Sequence, residues 1–151
     1  MIALACDHGG FELMRVVKSH LDSIGCAYED FGTYTADSCD YPEFAVRAAR
    51  AVANCECDKG ILICGTGIGM AIAANKVPGI RAAVCFDLFT AGMARSHNDA
   101  NVLTLGARVI DAALALNIIG VFLNTAFDGD GRHGRRVDML NALDETRDDN
   151  K

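Results

Sequence analysis

The stretch Gly60-Ile61-Leu62-Ile63-Cys64-Gly65-Thr66-Gly67-Ile68-Gly69-Met70 decides the fold. Ile61 to Ile63 run apolar without polar alternation, as a strand covered on both faces does. Glycines follow at alternate positions 65, 67 and 69, and an alanine-rich segment, Ile68 to Asn75, then reads as a helix. A strand, a glycine turn and a helix make a mouth where backbone N–H groups point outward and the helix dipole favours an anion. Cys64 and Thr66 place a thiol and a hydroxyl in that mouth. A thiol beside a helix N-terminus ionises more readily than a free one. The expectation is chemistry on a small, negatively charged molecule.

Outward from that stretch, strand and helix patterns alternate. Before it, Ile2 to Cys6 reads as a core strand ending at Asp7-His8-Gly9-Gly10. Phe11, Met14, Val17, Leu21 and Ile24 recur at helical spacing, with Gly25 as the stop. Ala27 to Phe31 is a second strand, Gly32 to Tyr41 a polar loop, and Pro42 opens a helix running to Ala53. After it, Pro78-Gly79 turns the chain, Arg81 to Cys85 and Val102 to Leu105 read as strands, and Leu88 to Arg95 and Asp111 to Leu123 as helices. Gly129-Asp130-Gly131 breaks the chain before a last helix, about 134–147, and a short polar tail. Repeated strand–helix units imply an α/β fold with a parallel sheet covered on both faces. Ligands of such sheets sit beyond the carboxyl ends of the strands. That rule selects Asp7-His8, Cys64 to Gly69, and the segments after Cys85 and Leu105.

Composition bounds the function. A chain of 151 residues forms one domain, 1–151, with a real core, and 51% hydrophobic residues exclude a disordered chain. A net charge of −6 excludes a broad basic surface, so neither nucleic acid nor an acidic membrane is expected as a partner. Seven cysteines without framework spacing, and no targeting segment, point to reduced thiols in the cytoplasm. The longest apolar stretch, Ile61 to Ala74, is broken by glycines and falls short of the roughly 18 residues a membrane span requires.

Each motif has a bland reading beside the functional one. The glycine run is neither a dinucleotide fingerprint nor a Walker loop, so it is an anion site or a tight turn. Cys64 is a catalytic thiol or a small packed residue. Ser96-His97-Asn98-Asp99-Ala100-Asn101 is a polar site or a capped turn before a strand. Arg132-His133-Gly134-Arg135-Arg136 is a phosphate clamp, since arginine forks match phosphate oxygens, or a solvated helix start. Cys55-Glu56-Cys57 lacks a second thiol pair and is rejected as a metal site. His20, within the first helix, is read as structural.

Seven motifs then recur in register with one family. Asp7-His8-Gly9-Gly10, Asp40-Tyr41-Pro42, Ile63 to Gly69, Ala73-Ala74-Asn75-Lys76, Gly79-Ile80-Arg81-Ala82, His97 to Asn101 and Gly131-Arg132-His133 resemble the type B ribose-5-phosphate isomerases. With the galactose-6-phosphate isomerases, these form one sugar-phosphate isomerase superfamily. The resemblance implies a Rossmann-like, three-layer α/β/α sandwich around a five-stranded parallel sheet. It also implies a homodimer or tetramer with active sites shared between subunits, and no metal or cofactor. The implied reaction interconverts ribose 5-phosphate and ribulose 5-phosphate, in the pentose phosphate pathway, through ring opening and an enediolate. By the same resemblance, Cys64 moves the proton between C1 and C2, and Thr66 and His97 help open the furanose. Asp7 and Asn98 hold sugar hydroxyls, while Gly65 and Gly69 frame amides facing the enediolate. His8, Arg108, Arg132 and Arg136 bind phosphate, and Tyr41 walls the pocket.

The chemistry agrees with these residue types. Isomerising an aldose to a ketose removes a proton beside a carbonyl and returns it one carbon away, which needs a base and donors aimed at the developing oxyanion. The closed sugar is unreactive, and a histidine suits the donor and acceptor roles of ring opening. Two departures from the family pattern stand out, at Phe86 to Gly92 and in one extra residue at Phe127 to Gly131. They keep a hexose 6-phosphate such as allose or galactose 6-phosphate open as the substrate. A non-catalytic sugar-phosphate-binding module is the reading from another class.

Overall fold

In the computed structural model, which describes residues 1–148, five strands form one all-parallel sheet in the order β2-β1-β3-β5-β4. The strands are β1 (Ile2–Cys6), β2 (Tyr28–Asp30), β3 (Lys59–Cys64), β4 (Ala82–Val84) and β5 (Val102–Gly106). The helices are α1 (Phe11–Ser23), α2 (Tyr41–Ala53), α3 (Ile68–Ala74), α4 (Leu88–Ser96), α5 (Ala112–Asn124) and α6 (Arg132–Asp148). The α/β class and the five-stranded parallel sheet expected from the sequence are therefore the observed architecture. The polar tail of residues 149–151 lies outside the described residues.

The alternation of a strand explains the layers. Leu4, Ile61, Ile63, Leu103 and Leu105 project to one face, where Leu13, Met14, Val17 and Leu21 of α1 meet Ala91 and Ala94 of α4 and Ile118, Ile119 and Phe122 of α5. Ala3, Ala5, Leu62, Cys64 and Val102 project to the other face. There the cover is Ala45, Ala48, Ala49 and Val52 of α2 with Met70, Ala73 and Ala74 of α3. The alanine-rich second face lets α2 and α3 lie close to the sheet and to each other, which brings the start of α2 over the start of α3.

Helix starts follow local chemistry. Asp87 and Asp111 cap α4 and α5, their carboxylates accepting from the N–H groups of Thr90 at 2.7 Å and Leu114 at 2.8 Å. Pro42 sits in the first turn of α2, as its fixed φ allows. The last helix begins earlier than its apolar pattern suggests, at Arg132, and its contacts fall on connections at the amino edge of the sheet. Asn141 accepts from Arg81 Nη1 at 2.9 Å and Asp144 from the Gly79 N–H at 2.7 Å. Val137 is buried, whereas Met139, Leu140 and Leu143 are exposed. No helix among the described residues is long and apolar enough to cross a membrane.

Two features of the strand order position the site. The chain leaves β1 toward β2 on one side and returns to β3 on the other, so the carboxyl ends of β1 and β3 flank a crevice where the winding reverses. The later winding places β4 at the far edge, separated from β3 by β5. The segment after β4, one of those selected by the carboxyl-end rule, is thereby carried away from the crevice.

Candidate active site

A cavity of about 260 Å³ opens at that crevice, lined by Asp7, His8, Gly9, Tyr41, Cys64, Gly65, Thr66, Gly69 and Arg108. It lies at the carboxyl ends of β1, β3 and β5 and under the start of α2. Phe86 to Gly92, which follow the carboxyl end of the edge strand β4, do not line it.

Cys64 is the last residue of β3 and is 5% exposed, so its sulfur meets the cavity but little bulk water. The Gly67 N–H donates to Cys64 Sγ at 3.1 Å. That amide can point back at the sulfur because Gly67 adopts a left-handed conformation, φ +80°, which a side chain would strain. An added Cβ would also meet the Leu105 carbonyl carbon at 2.9 Å. The helix behind the turn is only seven residues long, so one aimed amide, rather than a long helix dipole, is what the sulfur meets. All seven cysteines are free thiols. Burial pushes the Cys6 thiol up to about 12 and the Cys85 thiol up to about 11, which makes both inert packing residues.

The other cavity residues are held in turn. Asp7 is buried, and its Oδ1 accepts from the Gly10 N–H at 3.1 Å. The Cys39 N–H donates to His8 Nδ1 at 3.2 Å, which leaves Nε2 of the neutral ring to carry the proton and act as a donor. The Arg108 N–H donates to the Gly65 carbonyl at 3.0 Å, and the guanidinium lies so close that a Cβ on Gly65 would sit 3.3 Å from Nη1. Gly69 faces the Tyr41 ring, which a Cβ there would approach to 2.8 Å. The Thr66 hydroxyl is exposed and accepts from the Ile68 N–H at 3.3 Å. The cavity thus joins a poised sulfur, a carboxylate, an imidazole donor and one arginine.

His97, Asn98, Arg132 and Arg136 do not line this cavity. The connectivity explains their absence. In a parallel sheet a helix returns the chain from the carboxyl edge to the amino edge, so residues after α4 and just before β5 lie at the amino edge. His97 caps the C-terminus of α4 there. Arg132 begins α6 after α5 has made the same return. The five residues of β5 put roughly 17 Å of strand between the two edges.

This second cluster has an order of its own. His97 and His133 stack with ring centroids 4.1 Å apart and planes 8° from parallel. Burial, then the neighbouring His97, then Arg132 hold His133 below the usual imidazole range. The His97-Asn98 turn is clamped by Asp99, which takes a strained φ of +45° and receives Arg81 Nη2 and Arg95 Nη1, each at 2.8 Å. Arg81 Nε also donates to the Asn98 carbonyl at 3.1 Å. His133 and Asp99 stand inside the sequence motifs without a role that residue type alone assigns them. The signal available was their place beside His97 in the polar run and beside Arg132 in the basic one.

A family model described as Ribose/Galactose Isomerase matches residues 2–140. Ribose-5-phosphate isomerase B of Escherichia coli K12 is 46% identical over 146 residues, 97% of each chain. A D-erythrulose-4-phosphate isomerase of Pectobacterium atrosepticum is 43% identical over 131 residues, 86% of each. Among solved structures, ribose-5-phosphate isomerase B of Clostridium thermocellum superposes with a TM-score of 0.94 at 49% identity, covering 97% of this chain and 98% of that one.

Proposed function

This chain belongs to the ribose/galactose isomerase family, and we infer that it is a ribose-5-phosphate isomerase working through Cys64. It is an aldose–ketose isomerase, and ribose 5-phosphate is the substrate in the names of its full-length relatives. The observation that carries the site assignment is the Cys64 sulfur, 3.1 Å from the Gly67 N–H, in a cavity shared with Asp7, His8 and Arg108.

The residues divide the work as follows. His97, with Thr66, exchanges the protons that open the furanose. Asp7 and Asn98 hold hydroxyls of the open chain. The Cys64 thiolate takes the proton from C2, the charge collects on the carbonyl oxygen facing the amides around Gly65 and Gly69, and the proton returns to C1. His8, Arg108, Arg132 and Arg136 grip the phosphate, so remote binding holds the sugar while the reacting end changes shape. Tyr41 closes one wall.

One chain cannot supply all of these groups to one sugar, because its two clusters lie at opposite edges of the sheet. The site is completed when the amino-edge cluster of a second copy covers the carboxyl-edge cavity of the first, in a symmetric pair with two shared sites. The exposed Met139, Leu140 and Leu143 of α6, and Ile68 and Ile72 of α3, are the apolar surface such a pair would bury. Seven free thiols and the ribose-5-phosphate isomerase names of its relatives support reading it as a cytoplasmic enzyme of the pentose phosphate pathway. Comparing kcat/KM for ribose 5-phosphate with that for allose and galactose 6-phosphates tests the substrate assignment, and a clear hexose preference would overturn it.

A further inference from the structure

The face-to-face pair of His97 and His133 is used by none of the steps above. His97 is the C-terminal cap of α4, where a helix frays, and an imidazole there has two free torsions. With His133 at 4.1 Å and 8° from parallel, one whole face of the His97 ring is covered, and rotation of that ring out of plane is blocked. His133 is itself fixed: it is 8% exposed in the first turn of α6, one turn before the buried Val137. The connection ahead of it is pinned to α4 by the Asp128 N–H, which donates to the Ser96 carbonyl at 2.9 Å. The stack uses the faces of the rings only. No hydrogen bond to either ring's nitrogens is made within the described residues, so the edges that exchange protons stay available.

Charge favours the same arrangement. Two imidazolium rings face to face at this distance would repel strongly. The groups facing His133 are His97, Arg132 and Arg136, which all oppose its protonation, and Asp128, which favours it. With burial added, the balance disfavours the charged form of His133, so the flat ring that His97 rests against resists taking up positive charge.

We propose that His133 is a positioning residue for ring opening: stacked on His97, it holds that imidazole in the plane from which it exchanges protons with the furanose oxygen. The proposal rests on the assignment of His97 to ring opening, and the experiment separates the two. In a Cys64→Ala background, isomerisation is removed and ring opening remains visible as exchange between the α and β anomers of ribose 5-phosphate, read by NMR saturation transfer. The Cys64→Ala protein should accelerate this exchange over buffer, and adding His97→Ala should abolish the acceleration. Adding His133→Ala should reduce it by on the order of tenfold to a hundredfold, the loss typical of a misplaced catalytic group. Adding His133→Phe, which restores a flat neutral ring, should keep it within about threefold of the background rate, well short of a misplacement loss.

If His133→Ala exchanges anomers as fast as the background while His97→Ala does not, the proposal fails and the assignment of His97 stands. If His97→Ala has no effect, or the background shows no acceleration, the assignment itself fails and the proposal with it. Equal losses in the Phe and Ala variants would overturn the role of the stacked plane. A loss of ribose 5-phosphate affinity with unimpaired exchange in the bound complex would make His133 a binding contact instead.

Discussion

If the two clusters act on one sugar only across a pair of chains, two dead variants should revive each other. Cys64→Ala destroys the carboxyl-edge half of a site and His97→Ala the amino-edge half. The separation makes the test decisive. Five residues of β5 span roughly 17 Å, whereas a five-carbon phosphate ester with bonds of about 1.5 Å reaches about half as far. No single chain can therefore combine its own Cys64 and His97. When the two proteins are mixed in equal amounts and allowed to exchange subunits, half of the pairs are mixed. Each mixed pair carries one site with both lesions and one with neither, so the expected activity is about a quarter of wild type. The assay is ribulose 5-phosphate formation before and after exchange, started by brief exposure to mild denaturant and dilution. Activity that stays at the sum of the two variants after exchange, with mixed pairs verified by native mass spectrometry, would refute the shared-site geometry.

Two further expectations follow from the amino-edge cluster. Asp99→Asn removes the charge that pairs Arg81 and Arg95, the latter 10% exposed at its side chain. Breaking a buried pair costs about 3–5 kcal/mol, and with Asp99 itself one-third exposed about 2 kcal/mol is expected. That lowers Tm by about 4–8 °C in a thermal scan, and an unchanged Tm would show the clamp to be idle. The second expectation concerns acid. His133 is held below the ordinary imidazole pKa, so the unfolded chain takes up a proton that the folded chain refuses, and stability falls as pH drops below about 6.5. Denaturation midpoints from pH 8 to 5 should fall less steeply in His133→Phe than in wild type, and identical slopes would contradict the shift.

The parts of the fold that were legible are those where burial dictates residue type. β1, β3 and β5 are covered on both faces and read as continuous apolar runs. β2 and β4 lie at the sheet edges and shrink to three residues each, so the spans read from Ala27 to Phe31 and Arg81 to Cys85 are too long. The start of α6 was not legible because its first turn buries one ring against another rather than an apolar stripe. Of the residues that line the carboxyl-edge cavity, the strand-end rule selected Asp7, His8, Cys64, Gly65, Thr66 and Gly69. The place of His97 follows from chain order, which the motif reading did not use. A polar run immediately before a strand must sit at the edge opposite to one immediately after a strand. The contact between His97 and His133 had no periodic signal, since 35 residues and a whole helix intervene.

Isotope exchange tests Cys64 as the base most directly. Ribose 5-phosphate incubated in D2O with wild-type protein should take deuterium at the carbon beside the carbonyl as it isomerises, because the proton passes through an exchangeable thiol. In Cys64→Ala, incorporation should fall by at least about a hundredfold, the lower end of a general base's contribution, while calorimetry still shows the sugar phosphate bound. Deuterium entering the Cys64→Ala reaction at the wild-type rate would mean that another group moves the proton.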